Sequence, residues 1–345
     1  MSNIVMADDG IVFDGNSMSD GPLGGAETAF VSLAEAFVRR GHSVQIYNKC
    51  NHSMTKNGVV WKNIEASLPT SSDLYIANRG DRLLRLVPET RSRVFWLHNP
   101  ASYIKKWRYI SKIWITKPTA VFSSEFHARS CPPWVPFGRR IIIPYGISDT
   151  FRNKTKNNVP PSAKAIFTSS PLRSLDWLLK IWEQKIWPRV PSAELHIFSS
   201  PLTYGSHGRE RGQQMNSIIE MARTMSEQGV VIREPLPKDR LAKELQNCRV
   251  LLYRGDPGET FCLAVGEAQA VGVPSVVQDI GCLSERVINS VTGFVAKNDE
   301  DFSAKACDLL LNDSLWKRQS DAAIELQRGW GWEDAAAAFE KLIVQ

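Results

Sequence analysis

Two carboxylates open the chemistry of this chain. Glu259 and Glu267 stand with seven residues between them, in the stretch GDPGETFCLAVGEAQAVGVPSVVQDIGCLSE at 255–285. The apolar run Val250, Leu251, Leu252, Tyr253 just before it predicts a buried strand, and residues 261–270 predict a helix that stops near Gly272 with Pro274 beyond. Residues eight apart on a helix lie about two turns apart on one face, so both acids are expected to reach one ligand. The backbone N–H groups of Thr260, Phe261, Cys262 and Leu263 stand where a helix start leaves donors without helical partners, which suits an anion. An acid for a polyhydroxyl, amides for a phosphate and a second acid for a ribose would describe a nucleotide-sugar site. The plainer alternatives are a helix cap for Glu259 and a solvated helix position for Glu267.

Positioning these residues requires α/β architecture. Short apolar runs at 2–6, 42–47, 73–77, 93–97 and 120–122 predict strands of a first domain, and runs at 165–168, 194–198, 229–233, 250–253 and 275–277 predict those of a second. Gly24 and Gly25 end a long polar loop before a helix at 27–40, where backbone can approach a ligand closely. They do not form the dinucleotide fingerprint. His98 follows the strand at 93–97, at the strand end where parallel sheets bind ligands, whereas His42 reads as structural. Ser123 or Ser124 is placed to cap a helix. Arg173 lies on the loop after the strand at 165–168, and its planar fork suits a diphosphate. His207, Arg209 and Arg211 belong to a glycine-rich charged segment that reads as a surface loop. Residues 298–311 and 314–326 predict two amphipathic helices.

The 345 residues exceed one ordinary domain, and 43% apolar content supports filled cores. Six scattered cysteines lack paired metal spacing and read as free thiols of a reducing compartment. No apolar run reaches membrane-spanning length, and the N-terminus enters a strand without a secretory apolar region. Charge is uneven. Residues 1–157 carry 21 Lys+Arg against 12 Asp+Glu, a net +9, and the remainder is net −3. The basic half implies an anionic partner. Residues 102–117 interleave Lys105, Lys106, Arg108 and Lys112 with Trp107, Tyr109, Ile110, Ile113 and Trp114. Two readings are open: a helix resting on an anionic bilayer, or one whose Trp107, Ile110 and Trp114 face the core. No RNA-recognition or zinc-finger pattern supports nucleic acid.

Taken together, Glu259-TFCLAVG-Glu267, the sequel EAQAVGVPSVVQDIGCLSE, the Ser124-Glu125-Phe126 helix start and the run Ile143-Pro144-Tyr145-Gly146-Ile147 resemble the retaining glycosyltransferases of family 4. Cys262 and Cys282 replace glycines common there, and Tyr145 stands where asparagine is usual. The resemblance implies the GT-B fold, with two Rossmann-like domains facing each other across a cleft and a C-terminal helix crossing back to the first. Its expected bounds are 1–151 for the acceptor domain, 152–163 for the linker, 164–327 for the nucleotide-sugar domain and 328–345 for the terminal helix.

It also implies roles. Glu259 would hold donor sugar hydroxyls, Glu267 the ribose, and Arg173 the diphosphate, with the residue 260–263 amides beside it. His98 would contact the donor sugar, Gly24 and Gly25 would lie over its phosphates, and the loop at Glu234 would face the base. Ser169 or Ser170 replaces a second basic residue, placing Ser170 at the phosphates. No metal or other cofactor is expected, and the donor is a UDP-sugar or GDP-sugar. The implied activity is retaining transfer of a hexose-type sugar to a glycan or lipid-linked acceptor in surface polysaccharide or lipopolysaccharide assembly. The expected protein is a cytoplasmic monomer or weak homodimer, able to touch an anionic membrane through 102–117. Rival classes are an NAD-dependent oxidoreductase and a non-enzymatic module for anionic surfaces or nucleic acid.

Overall fold

The computed structural model describes residues 1–200 and 211–343, so His207 and Arg209 lie outside the described residues. The chain divides into two compact units, each built on its own sheet. Unit 1 comprises Met1–Asp20, Gly25–Gly146 and Trp330–Gln345; unit 2 comprises Gly21–Gly24 and Ile147–Gly329.

Unit 1 holds eight strands: β1 (Asn3–Asp8), β2 (Ser43–Asn48), β3 (Met54–Lys56), β4 (Val59–Asn63), β5 (Ser71–Asn78), β6 (Glu89–Trp96), β7 (Thr119–Phe122) and β8 (Arg139–Ile142). Their order is β3-β4-β2-β1-β5-β6-β7-β8. All neighbours are parallel except β3 and β4, a hairpin turned by Asn57 and Gly58, both at positive φ (50° and 79°). Parallel strands are covered on both faces, which is why their middles read as unbroken apolar runs such as Ile4, Val5, Met6 and Ala7, all fully buried.

The terminal segment completes this unit. Its helix Trp332–Glu340 packs on the helix Gly25–Arg39 through an edge-on contact of Phe37 with Phe339, ring centroids 6.2 Å apart. Arg40 and His42 Nε2 both donate to Glu340, the latter at 2.8 Å, so His42 is structural. Gly146 is required where the chain leaves the first unit: a Cβ there would stand 2.3 Å from the Trp332 nitrogen.

Unit 2 holds β9 (Lys164–Phe167), β10 (Glu194–Phe198), β11 (Val230–Arg233), β12 (Val250–Leu252), β13 (Ser275–Gln278) and β14 (Gly293–Ala296), ordered β11-β10-β9-β12-β13-β14. Every pair is parallel. The chain therefore winds outward from β9 through β10 and β11, then returns to lay β12 on the other side of β9. That reversal opens a crevice at the carboxyl ends of β9 and β12, the place where such sheets take ligands.

Candidate active site

Both loops leaving that crevice carry residues anticipated from sequence. Arg173 lies on the loop after β9, and Glu259 on the loop after β12. The structure joins them: Arg173 Nη1 donates to Glu259 Oε2. The Tyr253 hydroxyl, one residue beyond β12, donates to the same oxygen at 2.7 Å. Glu259 is 7% exposed and Tyr253 1% exposed, whereas the Arg173 side chain is 39% exposed. A nearly buried carboxylate is thus fixed by two donors, one of which reaches solvent.

The loop around Glu259 is fixed by its own backbone. Asp256 Oδ1 accepts from Gly258 N–H at 2.7 Å, and the Asp256 carbonyl accepts from Glu259 N–H at 2.9 Å. Cys282 N–H donates to the Glu259 carbonyl at 3.1 Å. Gly281 makes this approach possible, since it sits at φ +66° and its Cβ would meet the carbonyls of Asp256 and Glu259 at 2.6 and 2.8 Å. Ser174 Oγ reaches the Gly255 carbonyl at 3.2 Å and ties the two loops together. Burial weighs first against the Arg173 charge, but Glu259 together with Tyr253, Cys262 and Asp256 outweighs this and raises its pKa. Burial, then Glu259, pushes the Tyr253 hydroxyl well up, so Tyr253 is a donor at any ordinary pH.

The helix begins later than its sequence suggests. It spans Leu263–Ala270, with Cys262 at its N-terminal boundary in the left-handed region, φ +61°. Of the four expected amide donors only Leu263 lies in the helix; Thr260, Phe261 and Cys262 form the buried approach to it. Contrary to the expectation from their spacing, Glu259 and Glu267 therefore do not share a helical face. Glu259 is on the loop, and Glu267, inside the helix and 5% exposed, is held by Lys238 Nζ at 2.7 and 2.9 Å. Lys238 opens the helix Lys238–Gln246, and neither it nor Tyr253 is marked as a site residue by the sequence alone. A polar residue just past a buried strand was the available signal for Tyr253.

Other expected positions are plain. Ser170 is buried, and its carbonyl accepts from Arg173 N–H at 2.9 Å, shaping the arginine's loop. Glu234 is exposed just past β11, the edge strand. Gly25 opens its helix in unit 1, while Gly24 is grouped with unit 2. Among the described residues no group of three or more His, Cys, Asp or Glu side chains could hold a metal ion.

His98 lies in unit 1, 5% exposed, past β6. Asn78, at the end of β5, donates from Nδ2 to Asp8 Oδ2 at 2.5 Å, which turns its Oδ1 toward His98 Nε2. His98 therefore carries its proton on Nε2, and its Nδ1 accepts from the Tyr145 hydroxyl. Arg79 extends the network, donating to Asp8 and Glu27 at 2.9 Å each. Tyr145 also stacks on Trp332, centroids 6.1 Å apart.

Burial, then Arg79, holds the His98 pKa well below the usual 6.5, and burial holds that of His127 at about 4. A histidine depressed in the folded state binds its proton more readily unfolded, so stability falls as pH drops through 6.5 toward the folded value. Each such histidine contributes up to about 1.4 kcal/mol per pH unit in that window. Thermal melts from pH 7.5 to 5 should show falling stability, and His127→Gln should make the decline shallower; an unchanged slope would contradict the assignment.

Residues 165–313, all in unit 2, match the family model described as Glycosyl transferases group 1. Over the whole length, sucrose-phosphate synthase from Thermosynechococcus elongatus is similar in structure, with TM-score 0.75 and 14% identity covering 99% of this chain and 98% of that one. So is Anabaena HepE solved with UDP and glucose, with TM-score 0.74, 12% identity and full coverage of both chains. The chain has the GT-B fold, and its second unit carries the match to the group 1 glycosyl transferase model. Among curated proteins, the D-inositol 3-phosphate glycosyltransferase of Nocardia farcinica is 27% identical over 169 residues, 48% of this chain and 36% of that protein. That of Kribbella flavida is 29% identical over 102 residues, 29% of this chain and 24% of that protein. The chain thus aligns with well under half the length of these relatives. In this GT-B chain the matched region contains Arg173, Lys238, Tyr253, Glu259 and Glu267.

Proposed function

We propose that this chain transfers a hexose-type sugar from a nucleoside diphosphate sugar to a glycan or lipid-linked acceptor, with retention at the anomeric carbon. The Arg173–Glu259–Tyr253 cluster at the β9/β12 crevice carries this reading. A UDP-sugar is the favoured donor, supported by the UDP and UDP-glucose complexes of structurally similar HepE, with a GDP-sugar second.

The residues then divide the work. The departing diphosphate gains charge as the glycosidic bond breaks, and a preorganised cation lowers that barrier. Arg173, the exposed donor of the cluster, swings from Glu259 to this diphosphate. Glu259, still fixed by Tyr253, turns its freed acceptor capacity to the sugar hydroxyls. Glu267 takes the ribose hydroxyls while keeping Lys238, since a carboxylate offers about four acceptor positions. Ser170 and the Leu263 amide border the phosphates. No side chain is assigned as nucleophile; the incoming hydroxyl attacks on the face the diphosphate leaves and gives its proton to the departing diphosphate oxygen. The first unit, with His98 as its neutral, fixed polar group, is assigned to the acceptor and donor sugar, and surface polysaccharide or lipopolysaccharide assembly is the setting proposed.

Tyr253→Phe isolates one step. It deletes a hydrogen bond to an ionised carboxylate without opening space, and should lower kcat about tenfold with little change in donor KM. Unchanged kcat would show that Glu259 needs no such support. The reaction itself is checked by release of nucleoside diphosphate from UDP-glucose, UDP-N-acetylglucosamine, UDP-galactose and GDP-mannose, with product configuration read by NMR. Release from none of them, with or without acceptor glycans, would count against the proposal.

A further inference from the structure

The first unit presents an apolar, basic face that its fold leaves uncovered. The helix Trp107–Thr116 buries Tyr109 and Ile113 in the core. Its outward side carries Trp107, Trp114 and Ile115, which are 78%, 65% and 61% exposed. Trp107 and Trp114 are seven residues apart, hence two turns along one side. The core-facing alternative for these tryptophans is thereby excluded. Beyond the helix, Gly138 N–H donates to the Pro118 carbonyl at 3.1 Å, and a Cβ on Gly138 would meet the Lys117 carbonyl at 2.4 Å. The neighbouring segment therefore runs past the helix end, and it carries a further exposed tryptophan, Trp134, at 59%.

Cations border this face at both ends. Lys105, Lys106 and Arg108 are exposed at the helix start, and Lys117 and Arg139 at its other end. Lys117 Nζ lies 5.9 Å from the Trp114 ring centroid. The nearby carboxylate of Asp81 is taken up by Lys112, with Arg108 at 3.6 Å.

We infer that this face binds an anionic lipid surface, with Trp107, Trp114 and Ile115 entering the headgroup level and Lys105, Lys106, Arg108 and Lys117 against lipid phosphates. Tryptophan is the side chain that prefers the membrane–water boundary, having an apolar body and one polar N–H. Cations around it add the second signal that stable peripheral binding requires. Among the described residues no helix is long and apolar enough to cross a membrane, so the contact is interfacial. The inference stands on this face alone and does not rest on the transferase reading.

The test is cosedimentation of the full chain with phosphatidylcholine vesicles, with and without about one-third phosphatidylglycerol, at low and high salt. Binding to the anionic vesicles, weakened by salt, is expected. Trp107→Ser/Trp114→Ser should weaken it about tenfold or more, and Lys105→Ser/Lys106→Ser should flatten the salt dependence. All these positions are exposed, and unchanged thermal melts of the variants confirm intact folds. Absence of binding to anionic vesicles overturns the inference, as does binding that ignores the tryptophans. So does a tryptophan-dependent dimer, or tighter tryptophan-dependent binding of RNA, in place of vesicle binding.

Discussion

Glu259→Ala is expected to lower kcat by at least about a hundredfold while leaving nucleoside diphosphate binding intact. The expectation follows from where the carboxylate sits. It is almost buried, on a loop held by Asp256 and Gly281, and accepts from both Arg173 and Tyr253. On the proposed mechanism Glu259 meets the sugar, whereas Arg173 meets the diphosphate. Removing the acid frees Arg173, so UDP should bind the variant as tightly as the parent, or more so. Glu259→Gln keeps the volume and one acceptor oxygen and should fall between the two. Steady-state donor kinetics with calorimetry of UDP binding check this. Near-parental kcat in a folded Glu259→Ala variant contradicts the assigned role, and loss of UDP binding with kcat would point to a collapsed loop instead.

The second large effect is expected at Arg173. Its guanidinium, charged at any ordinary pH, is the exposed member of a buried cluster and pairs with Glu259. Arg173→Ala should weaken UDP by about tenfold to a hundredfold, the scale of charge-assisted hydrogen bonds to a phosphate, and should lower kcat further because leaving-group charge grows along the reaction. Arg173→Lys keeps the charge but loses the fork, and should recover part of the binding. A donor KM and kcat both unchanged in Arg173→Ala would remove the cation from the account. Tyr253→Phe should be milder than either, because Arg173 still holds Glu259 there.

These residues were visible in the sequence to different degrees, for physical reasons. Glu259, Glu267 and Arg173 lie next to short apolar runs that mark strands, and the spacing of the two acids is written in the chain. Their partners are not. Tyr253 reaches Glu259 because of how the five residues between them fold, and Arg173 does so only because β12 returns beside β9, a matter of strand order. Lys238 meets Glu267 across 29 positions of sequence, and nothing local announces it.

The late start of the helix at Leu263 is not legible in the sequence because Thr260 and Phe261 have no strong preference against helix, and the left-handed turn at Cys262 is a property of the fold. The β3–β4 hairpin had a clear local signal in Asn57-Gly58, but its strands are only three and five residues long and present little periodicity. Residues 102–117 show the limit of periodicity in another way. Their apolar residues occupy more than one side of a helix, so spacing alone allowed either side to face inward. Packing chose Tyr109 and Ile113, and left Trp107 and Trp114 outside.

If the loops after β9 and β12 hold a nucleoside diphosphate, calorimetric titration with UDP and GDP detects it. Saturable binding of one of them is expected, strongly weakened in Arg173→Ala and retained in Glu259→Ala. Binding of neither, or binding indifferent to Arg173, would contradict it.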